Sequence, residues 1–186
     1  MNETTSTEYN RVIDSCRKLF AMKTRDYGTA WRILRLPSIT DQIYIKAQRI
    51  RSIQEKGTQK VEDSVVDEFR GIVNYCLIGL IQMQLSESDE LEMAYETLAP
   101  MYDRAVEETF HLLGQKNHDY DEAWRDMRVS SITDIILMKV LRVKQIEDNA
   151  GRTLVSEGIK ANYQDMTNYA VFALIKLSEP KQARHD

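Results

Sequence analysis

The apolar residues of this chain recur at the three- and four-residue spacing of α-helices, and the pattern occurs twice. One stripe runs from Ile39 to Ile53, and a second runs from Ile132 to Ile146. The segment 72–81 is hydrophobic on nearly every face, as is typical of a buried helix. No convincing run of alternating apolar and polar residues indicates a strand. The pattern therefore predicts an all-α fold.

The two stripes belong to an internal repeat. Residues 23–53 align with residues 116–146 at an offset of 93, and about half of the aligned residues are identical. One inserted residue near Gly151 moves the offset to 94, so that Asn74-Tyr75 aligns with Asn168-Tyr169. A repeat of this length indicates a duplicated structural unit.

Each repeat is predicted to contain three helices. The units are residues 1–86 and 91–186, with the polar segment 86–90 as the linker. Because three short helices bury little apolar surface alone, we expect the tandem duplicated three-helix units to form one pseudo-twofold helical bundle, packed as one domain. The predicted helices cover roughly 7–24, 38–57 and 61–85 in the first repeat and 95–117, 131–151 and 155–178 in the second.

Hydroxyl residues and glycines are expected to bound the second helix of each unit. Candidate N-caps are Ser38 or Thr40 in the first repeat and Ser131 or Thr133 in the second. The helices should end near Gly57 and Gly151, where glycine can adopt a left-handed conformation.

Composition narrows the class of partner. The 29 acidic and 25 basic residues leave a net charge of −4, so the chain has no overall basic field for nucleic acid. The apolar runs are too short to span a bilayer, and the polar start "MNETTSTEYN" lacks a signal peptide. Cys16 and Cys76 form no disulfide framework or zinc pattern. We expect a cytoplasmic protein without nucleic-acid or membrane partners, and the oligomeric state stays open.

A lysine interrupts the apolar stripe at the same place in both repeats. Lys46 and Lys139 occupy this place, and Arg49 and Arg142 lie one turn further on. The lysines can extend along the stripe edge to solvent, or they can pair with a carboxylate or a bound phosphate. Since an unpaired ammonium in an apolar stripe is costly, we predict that each lysine lies within ion-pair distance of an acid or an anion. All four cations are candidate phosphate-binding residues.

Acidic residues are concentrated in the third helix of each repeat. The candidate metal ligands are Asp67, Glu68, Glu157 and Asp165, with Glu68 and Asp165 as the catalytic candidates. Clustered carboxylates on facing helices can hold Mg²⁺ or Mn²⁺ through oxygen. The alternative is that the early acids, including Asp63, only favour the positive end of the helix dipole. The repeats keep complementary acids, which predicts one composite site within about 10 Å at the pseudo-twofold axis.

The motif that opens each repeat contains basic, acidic and aromatic residues. Its lysines can bind phosphate, its aspartates can cap a helix or bind metal, and its aromatic rings can stack on a base or pack against the bundle. Buried asparagines of the third helices need hydrogen-bond partners and are further substrate-binding candidates. These residues are Lys23, Asp26, Tyr27, Trp31 and Asn74 in the first repeat and Lys116, Asp119, Tyr120, Trp124 and Asn168 in the second.

The segments "KTRDYGTAW", "SITDQIYIKAQRIRSIQ" and "DEFRGIVNYCLIGLIQ" resemble a bacterial family, largely from Bacteroidetes, that also occurs in phages. The family is named for the nucleotide modification associated domain, type one. In the phage relatives the final helix carries the pattern D-x-x-N-Y followed by aliphatic residues. The segment 165–174 fits this pattern, and 71–80 fits it except for Gly71.

A more distant similarity extends to the all-α nucleoside triphosphate pyrophosphohydrolases, which include MazG-like and dimeric dUTPase-like enzymes. That similarity implies Mg²⁺ held by E-x-x-E and E-x-x-D pairs and cleavage between the α- and β-phosphates. The chain departs from this pattern. The first repeat has Glu68 but Gly71, the second has Asp165 but Asn162, and neither second helix shows the E-x-x-E pair.

The expected function is binding of a nucleotide or another phosphorylated small molecule in nucleotide metabolism. If the protein is an enzyme, the reaction would be Mg²⁺- or Mn²⁺-dependent pyrophosphohydrolysis of a nucleoside triphosphate. The alternative is a non-catalytic interaction or regulatory protein whose duplicated bundle has lost the chemistry.

Overall fold

The structure, a computed structural model, describes residues 3–57, 64–85, 90–120, 122–155 and 157–179, except for the side chains of 115–120. Six α-helices and two short 3-10 helices form the described part, which contains no strand. The α-helices are α1 (Glu3–Tyr27), α2 (Leu36–Lys56), α3 (Val65–Gln82), α4 (Tyr95–Tyr120), α5 (Val129–Asp148) and α6 (Ile159–Ser178). The 3-10 helices are Ala30–Ile33 and Ala123–Asp126. The all-α prediction is confirmed.

The hydroxyl caps predicted for α2 and α5 are wrong. Each helix begins two residues before the predicted start, after an arginine, Arg35 or Arg128, whose side chain makes no capping hydrogen bond. Pro37 occupies the first turn of α2, where its missing N–H needs no partner. Thr40 and Thr133 lie inside the helices and donate to carbonyl oxygens four residues back, at 3.3 Å and 3.1 Å.

The third helices also begin later than predicted. Ser64 precedes α3 and forms a capping box with Asp67, because its hydroxyl accepts from the Asp67 N–H and its N–H donates to the Asp67 carboxylate. Gly158 is the N-cap of α6, so Glu157 precedes the helix in which the sequence placed it. The predicted end of α2 at Gly57 is confirmed, with φ at +64°. Asp63 and residues 86–89 of the predicted linker lie outside the described residues.

The core lies between the second and third helices of both repeats. Helices α2, α3, α5 and α6 pack together, and α1 and α4 flank them. One hydrophobic cluster contains residues of both repeats, including the buried rings of Tyr9, Phe69 and Tyr163. Within the described residues, no helix has the length and hydrophobicity that a membrane span requires.

Helices α3 and α6 are antiparallel at the centre of the bundle. Gly79 of α3 faces the ring of Tyr163, whereas Cys76, one turn earlier, faces the Thr167 hydroxyl one turn later in α6. The Cβ of a residue larger than glycine at position 79 would lie 2.6 Å from Cε2 of Tyr163. Gly79 therefore permits the close approach of the two helices.

Matching hydrogen bonds between the repeats show the pseudo-twofold symmetry. The Tyr9 hydroxyl donates to Asn168 Oδ1, and the Tyr102 hydroxyl donates to Asn74 Oδ1, both at 2.9 Å. Tyr102 is the counterpart of Tyr9, and Asn168 is the counterpart of Asn74. Each repeat therefore supplies the tyrosine that binds the buried asparagine of the other.

A second pair of hydrogen bonds joins α2 to α5 but is chemically asymmetric. The Thr40 hydroxyl lies 2.7 Å from both Glu147 Oε1 and the Tyr163 hydroxyl, whereas Gln54 Nε2 donates to Thr133 at 3.1 Å. Glu147 is the counterpart of Gln54. Burial raises the pKa of the Glu147 carboxyl above 4.5, opposed by the Thr40 hydrogen bond.

Gly79→Ala is expected to lower the free energy of unfolding by about 1–3 kcal/mol, because the new methyl group overpacks the α3–α6 contact. Gly114→Ala in α4 is the control, since no neighbouring atom lies within 4 Å of its added Cβ. The control should be neutral or should stabilise by up to about 1 kcal/mol. Urea denaturation measures both changes, and equal effects would contradict the close-approach role of Gly79.

Glu147→Gln is expected to raise the melting temperature at pH 7. The raised pKa means that folding favours the protonated carboxyl, so the charged form destabilises the fold above the folded pKa and has no such effect below 4.5, the ordinary value. The gain should therefore shrink as the pH falls towards 4.5. Glu55→Gln, on the exposed side of α2, is the control for charge removal. A gain that is the same at both pH values would refute the burial argument.

Candidate functional site

A cavity of about 280 Å³ opens in the first repeat between α1, the 3-10 helix Ala30–Ile33, α2 and α3. Five residues predicted from the sequence line it, namely Lys23, Tyr27, Trp31, Lys46 and Asn74. The repeated motif, the interrupted stripe and the buried asparagine therefore meet at one place. We call this cavity the first-repeat pocket.

Aromatic rings form much of the pocket wall. Phe20, Trp31 and Tyr75 line the pocket, and so does Tyr27, which has 57% of its surface exposed. Phe20 is backed by the other repeat, because its ring stacks on Tyr102 with the ring centroids 4.8 Å apart. Such walls favour a flat, aromatic ligand.

Lys46 lines the pocket, and its ammonium group forms an ion pair. Its Nζ lies 3.2 Å from Glu68 Oε2 and 5.9 Å from the centroid of the Tyr75 ring. Arg49 donates to the other carboxylate oxygen, Glu68 Oε1. The ion-pair prediction for Lys46 is confirmed. Two cations of α2 therefore meet at one carboxylate beside the pocket.

Gly71 makes room for the Lys46 side chain. A Cβ at position 71 would lie 2.7 Å from Lys46 Cε and 2.8 Å from its Cδ, so the lysine stem runs directly over the glycine. The absence of a side chain at Gly71 thus leaves Lys46 at the pocket and lets it reach back one turn to Glu68.

The amide of Asn74 is already bound by the protein. Its Nδ2 donates to the Cys16 carbonyl oxygen at 3.1 Å, and its Oδ1 accepts from Tyr102. Asn168 has the equivalent partners, Tyr9 and the Thr109 carbonyl oxygen. The predicted need of both asparagines for hydrogen bonds is confirmed. Substrate binding through these amides stays a prediction. The hydrogen bonds that the structure shows for both amides join neighbouring helices of the bundle.

The second repeat arranges its equivalent residues differently. Lys139 Nζ lies 2.6 Å from Asp165 Oδ2, and both side chains are buried, so the ion-pair prediction is confirmed here too. Trp124 stacks on Phe172, with the ring centroids 4.2 Å apart and the planes 5° from parallel. The side chains of Lys116, Asp119 and Tyr120 lie outside the described residues.

The predicted metal ligands do not fit a shared Mg²⁺ or Mn²⁺ site. Glu68 and Asp165 are held by the cations of their own repeats. Asp67 caps α3, and the Ser64 hydroxyl lowers the pKa of its carboxyl, while Glu157 is exposed ahead of α6. Among the described residues no three His, Cys, Asp or Glu side chains are grouped to hold a metal ion.

The antiparallel packing also separates the two catalytic candidates. Asp165 lies opposite the stretch of α3 between Cys76 and Gly79, because Tyr163 and Thr167 contact those residues. Glu68 lies eight or more residues before that stretch, which corresponds to ~12 Å along the helix axis. Each acid therefore belongs to its own repeat.

Two further predicted residues lie away from the pocket lining. Asp26 is exposed within the last turn of α1 and does not cap a helix, so that interpretation is wrong. A carboxylate that caps a helix stands at the N-terminus of that helix, whereas Asp26 lies one residue before the C-terminus of α1. Arg142 is half-buried on α5, and a phosphate-binding role for it stays a prediction.

Sequence reasoning missed Phe20, Tyr75 and Ile78 as pocket residues. Tyr75 could have been found, because its counterpart Tyr169 repeats it in the same sequence context. Phe20 and Ile78 have different counterparts, Leu113 and Phe172, so the repeat carries no signal for them.

Asp165→Asn is expected to lower the free energy of unfolding by about 3–5 kcal/mol, because it leaves the buried Lys139 ammonium without its charged partner. Glu108→Gln is the matched control, since it breaks the exposed Lys160–Glu108 pair of 2.8 Å and should cost about 0–1 kcal/mol. Chemical denaturation compares the two. Lys139→Met combined with Asp165→Leu should recover much of the loss, and failure to do so would argue against an ion-pair role.

Comparison with known proteins identifies the family. The family model described as Nucleotide modification associated domain 1 matches residues 23–83 and again residues 116–177. Each match covers one repeat from the opening motif to the third helix, and the first contains Lys23, Trp31 and Lys46 of the pocket. No curated protein and no solved structure matches the chain, so the similarity to MazG-like enzymes stays a prediction. The chain belongs to the Nucleotide modification associated domain 1 family and carries two copies of its domain.

Proposed function

We propose that the protein binds a nucleotide, or a similar phosphorylated aromatic molecule, in the first-repeat pocket. The observation that carries this proposal is the combination of an aromatic-walled cavity with two lysines, Lys23 and Lys46, on its lining. Aromatic rings bind a base by stacking, and ammonium groups bind phosphate.

The size of the pocket supports a base and sugar inside, a first phosphate beside Lys46, and any further phosphates at the mouth. Its volume of about 280 Å³ is at the lower limit of small-molecule sites, which start at about 300 Å³. Lys23 is exposed, so its ammonium can reach phosphate at the opening. Trp31 is half-buried and presents a ring to the cavity.

The local charge also supports an anionic ligand. Lys46 lies on the pocket lining, and Lys23 places a second ammonium group on the same lining. The family description refers to nucleotide modification, which agrees with a nucleotide as the ligand.

The proposal is one of binding and includes no metal-dependent step. Glu68 and Asp165 are each engaged by lysine, so they are not arranged to hold Mg²⁺. This engagement favours the non-catalytic alternative over pyrophosphohydrolysis, which stays a prediction. A protein of this kind would respond to nucleotide without consuming it.

Isothermal titration with nucleoside mono-, di- and triphosphates, in EDTA and then in MgCl₂, tests the proposal. We expect binding in EDTA and no pyrophosphate release when Mg²⁺ is added. Binding that requires Mg²⁺, together with pyrophosphate release, would restore the hydrolase prediction. Absence of heat with every nucleotide in both buffers would refute the proposal.

Lys23→Met should weaken nucleotide binding about tenfold or more, because a hydrogen bond to a charged group contributes about 1.5–3 kcal/mol. Lys18→Met is the matched control, since Lys18 is also exposed on α1 but does not line the pocket. The same titration measures both dissociation constants. Equal weakening by the two substitutions would indicate nonspecific charge attraction and contradict the assigned site.

A further inference from the structure

The pocket residues can be compared position by position because the sequences of the two repeats align. Eight of the residues that line the pocket have identical counterparts in the second repeat, and these include Trp31 and Trp124, Lys46 and Lys139, Asn74 and Asn168, and Tyr75 and Tyr169. The framework of the pocket therefore exists twice, and differences at other positions decide whether each copy is open.

Two positions of the third helix become larger in the second repeat. Gly71 is replaced by Asp165, and Ile78 is replaced by Phe172. Both Gly71 and Ile78 line the first-repeat pocket. Their counterparts therefore add a carboxylate and a ring at the positions that face the cavity in the first repeat.

The added ring covers the tryptophan. Phe172 lies parallel to Trp124 at 4.2 Å, and each has only 5% of its surface exposed. Tyr169 meets the edge of Phe172 at 6.1 Å. In the first repeat the aliphatic Ile78 cannot stack in this way, and Trp31 is half-buried beside the cavity.

The added carboxylate neutralises the lysine. Asp165 binds Lys139 at 2.6 Å within the buried interior. The first repeat has Gly71 at that position, so Lys46 turns back to Glu68 and shares it with Arg49. A ring on the tryptophan and an anion on the lysine are the two contacts that a nucleotide would make in the first repeat.

We infer that the second repeat is a self-occupied copy of the nucleotide site, in which Phe172 and Asp165 take the places of the base and the phosphate. This inference rests on the proposed function. It means that the chain binds one nucleotide rather than two, and that the base stacks on Trp31 as Phe172 stacks on Trp124. The second repeat keeps the framework for packing and gives up binding.

Acrylamide quenching tests self-occupation without any ligand, because the chain has only two tryptophans. Trp124→Phe leaves Trp31 as the only indole, and Trp31→Phe leaves Trp124. We expect acrylamide to quench Trp31 and to leave Trp124 protected. Adding Phe172→Ile to the Trp31→Phe variant should expose Trp124 and raise its quenching constant. Equal quenching of the two single-tryptophan proteins would overturn the closed second copy.

Titration stoichiometry tests the consequence for binding. The natural chain should bind one nucleotide, and Ile78→Phe should abolish binding because the new ring stacks on Trp31. Phe172→Ile, the mirror substitution, should leave the affinity of the first site unchanged. Gly71→Asp is a second blocking variant, which places a carboxylate against Lys46. Circular dichroism confirms that each variant is folded.

The outcomes separate the two claims. Two nucleotides per chain, or full binding by a folded Ile78→Phe protein, would overturn the self-occupied copy while the proposed function stands. Absence of binding by the natural chain would overturn the proposed function, and the quenching result would then decide by itself whether the second copy is closed.

Discussion

The antiparallel contact between α3 and α6 is the constraint on which the remaining structure depends. Both helices are buried on most faces, so neither can be covered by a single three-helix unit. Gly79 brings the helices close enough for Tyr163 to pack directly on α3. Near the middle of the contact, Asn74 and Asn168 each accept a hydrogen bond from a tyrosine of the opposite repeat. Because a buried amide without a partner is costly, these bonds hold the two repeats in one register.

The lysine in each stripe adds a second constraint, since a buried ammonium needs an acid. The repeats meet this need one helical turn apart. Glu68 pairs with Lys46 from the position of Asn162, and Asp165 pairs with Lys139 from the position of Gly71. The first solution leaves Gly71 in the lining of a cavity, and the second places the Asp165 carboxylate at the equivalent position. The position of the carboxylate therefore decides whether glycine or an acid stands at this place, and Phe172, at the position of Ile78, adds a ring that stacks on Trp124.

Duplication within one chain allows the copies to differ in ways that a symmetric dimer cannot. The structural hydrogen bonds are kept on both sides, whereas Gly71 and Ile78 of the pocket lining are replaced by Asp165 and Phe172. Trp31 borders a cavity, and Trp124 is covered by Phe172. Packing needs both copies of the framework, but a binding protein needs only one open site. The divergence at Gly71 and Asp165 is therefore compatible with a stable bundle throughout.

The sequence by itself determined the helix content, the duplication, the need of both lysines for acidic partners, and several pocket residues. Periodicity and desolvation are properties of short segments, so they can be read locally. The first residues of α2 and α5 were harder to predict, because the Thr40 and Thr133 hydroxyls donate to carbonyl oxygens within their helices and do not cap them. Only the tertiary structure decided which acid each lysine meets, that the acids stay in separate repeats, and that Phe20 and Ile78 line the pocket. These outcomes depend on the separation of helices, and that separation is set by side-chain volumes at distant positions such as Gly79.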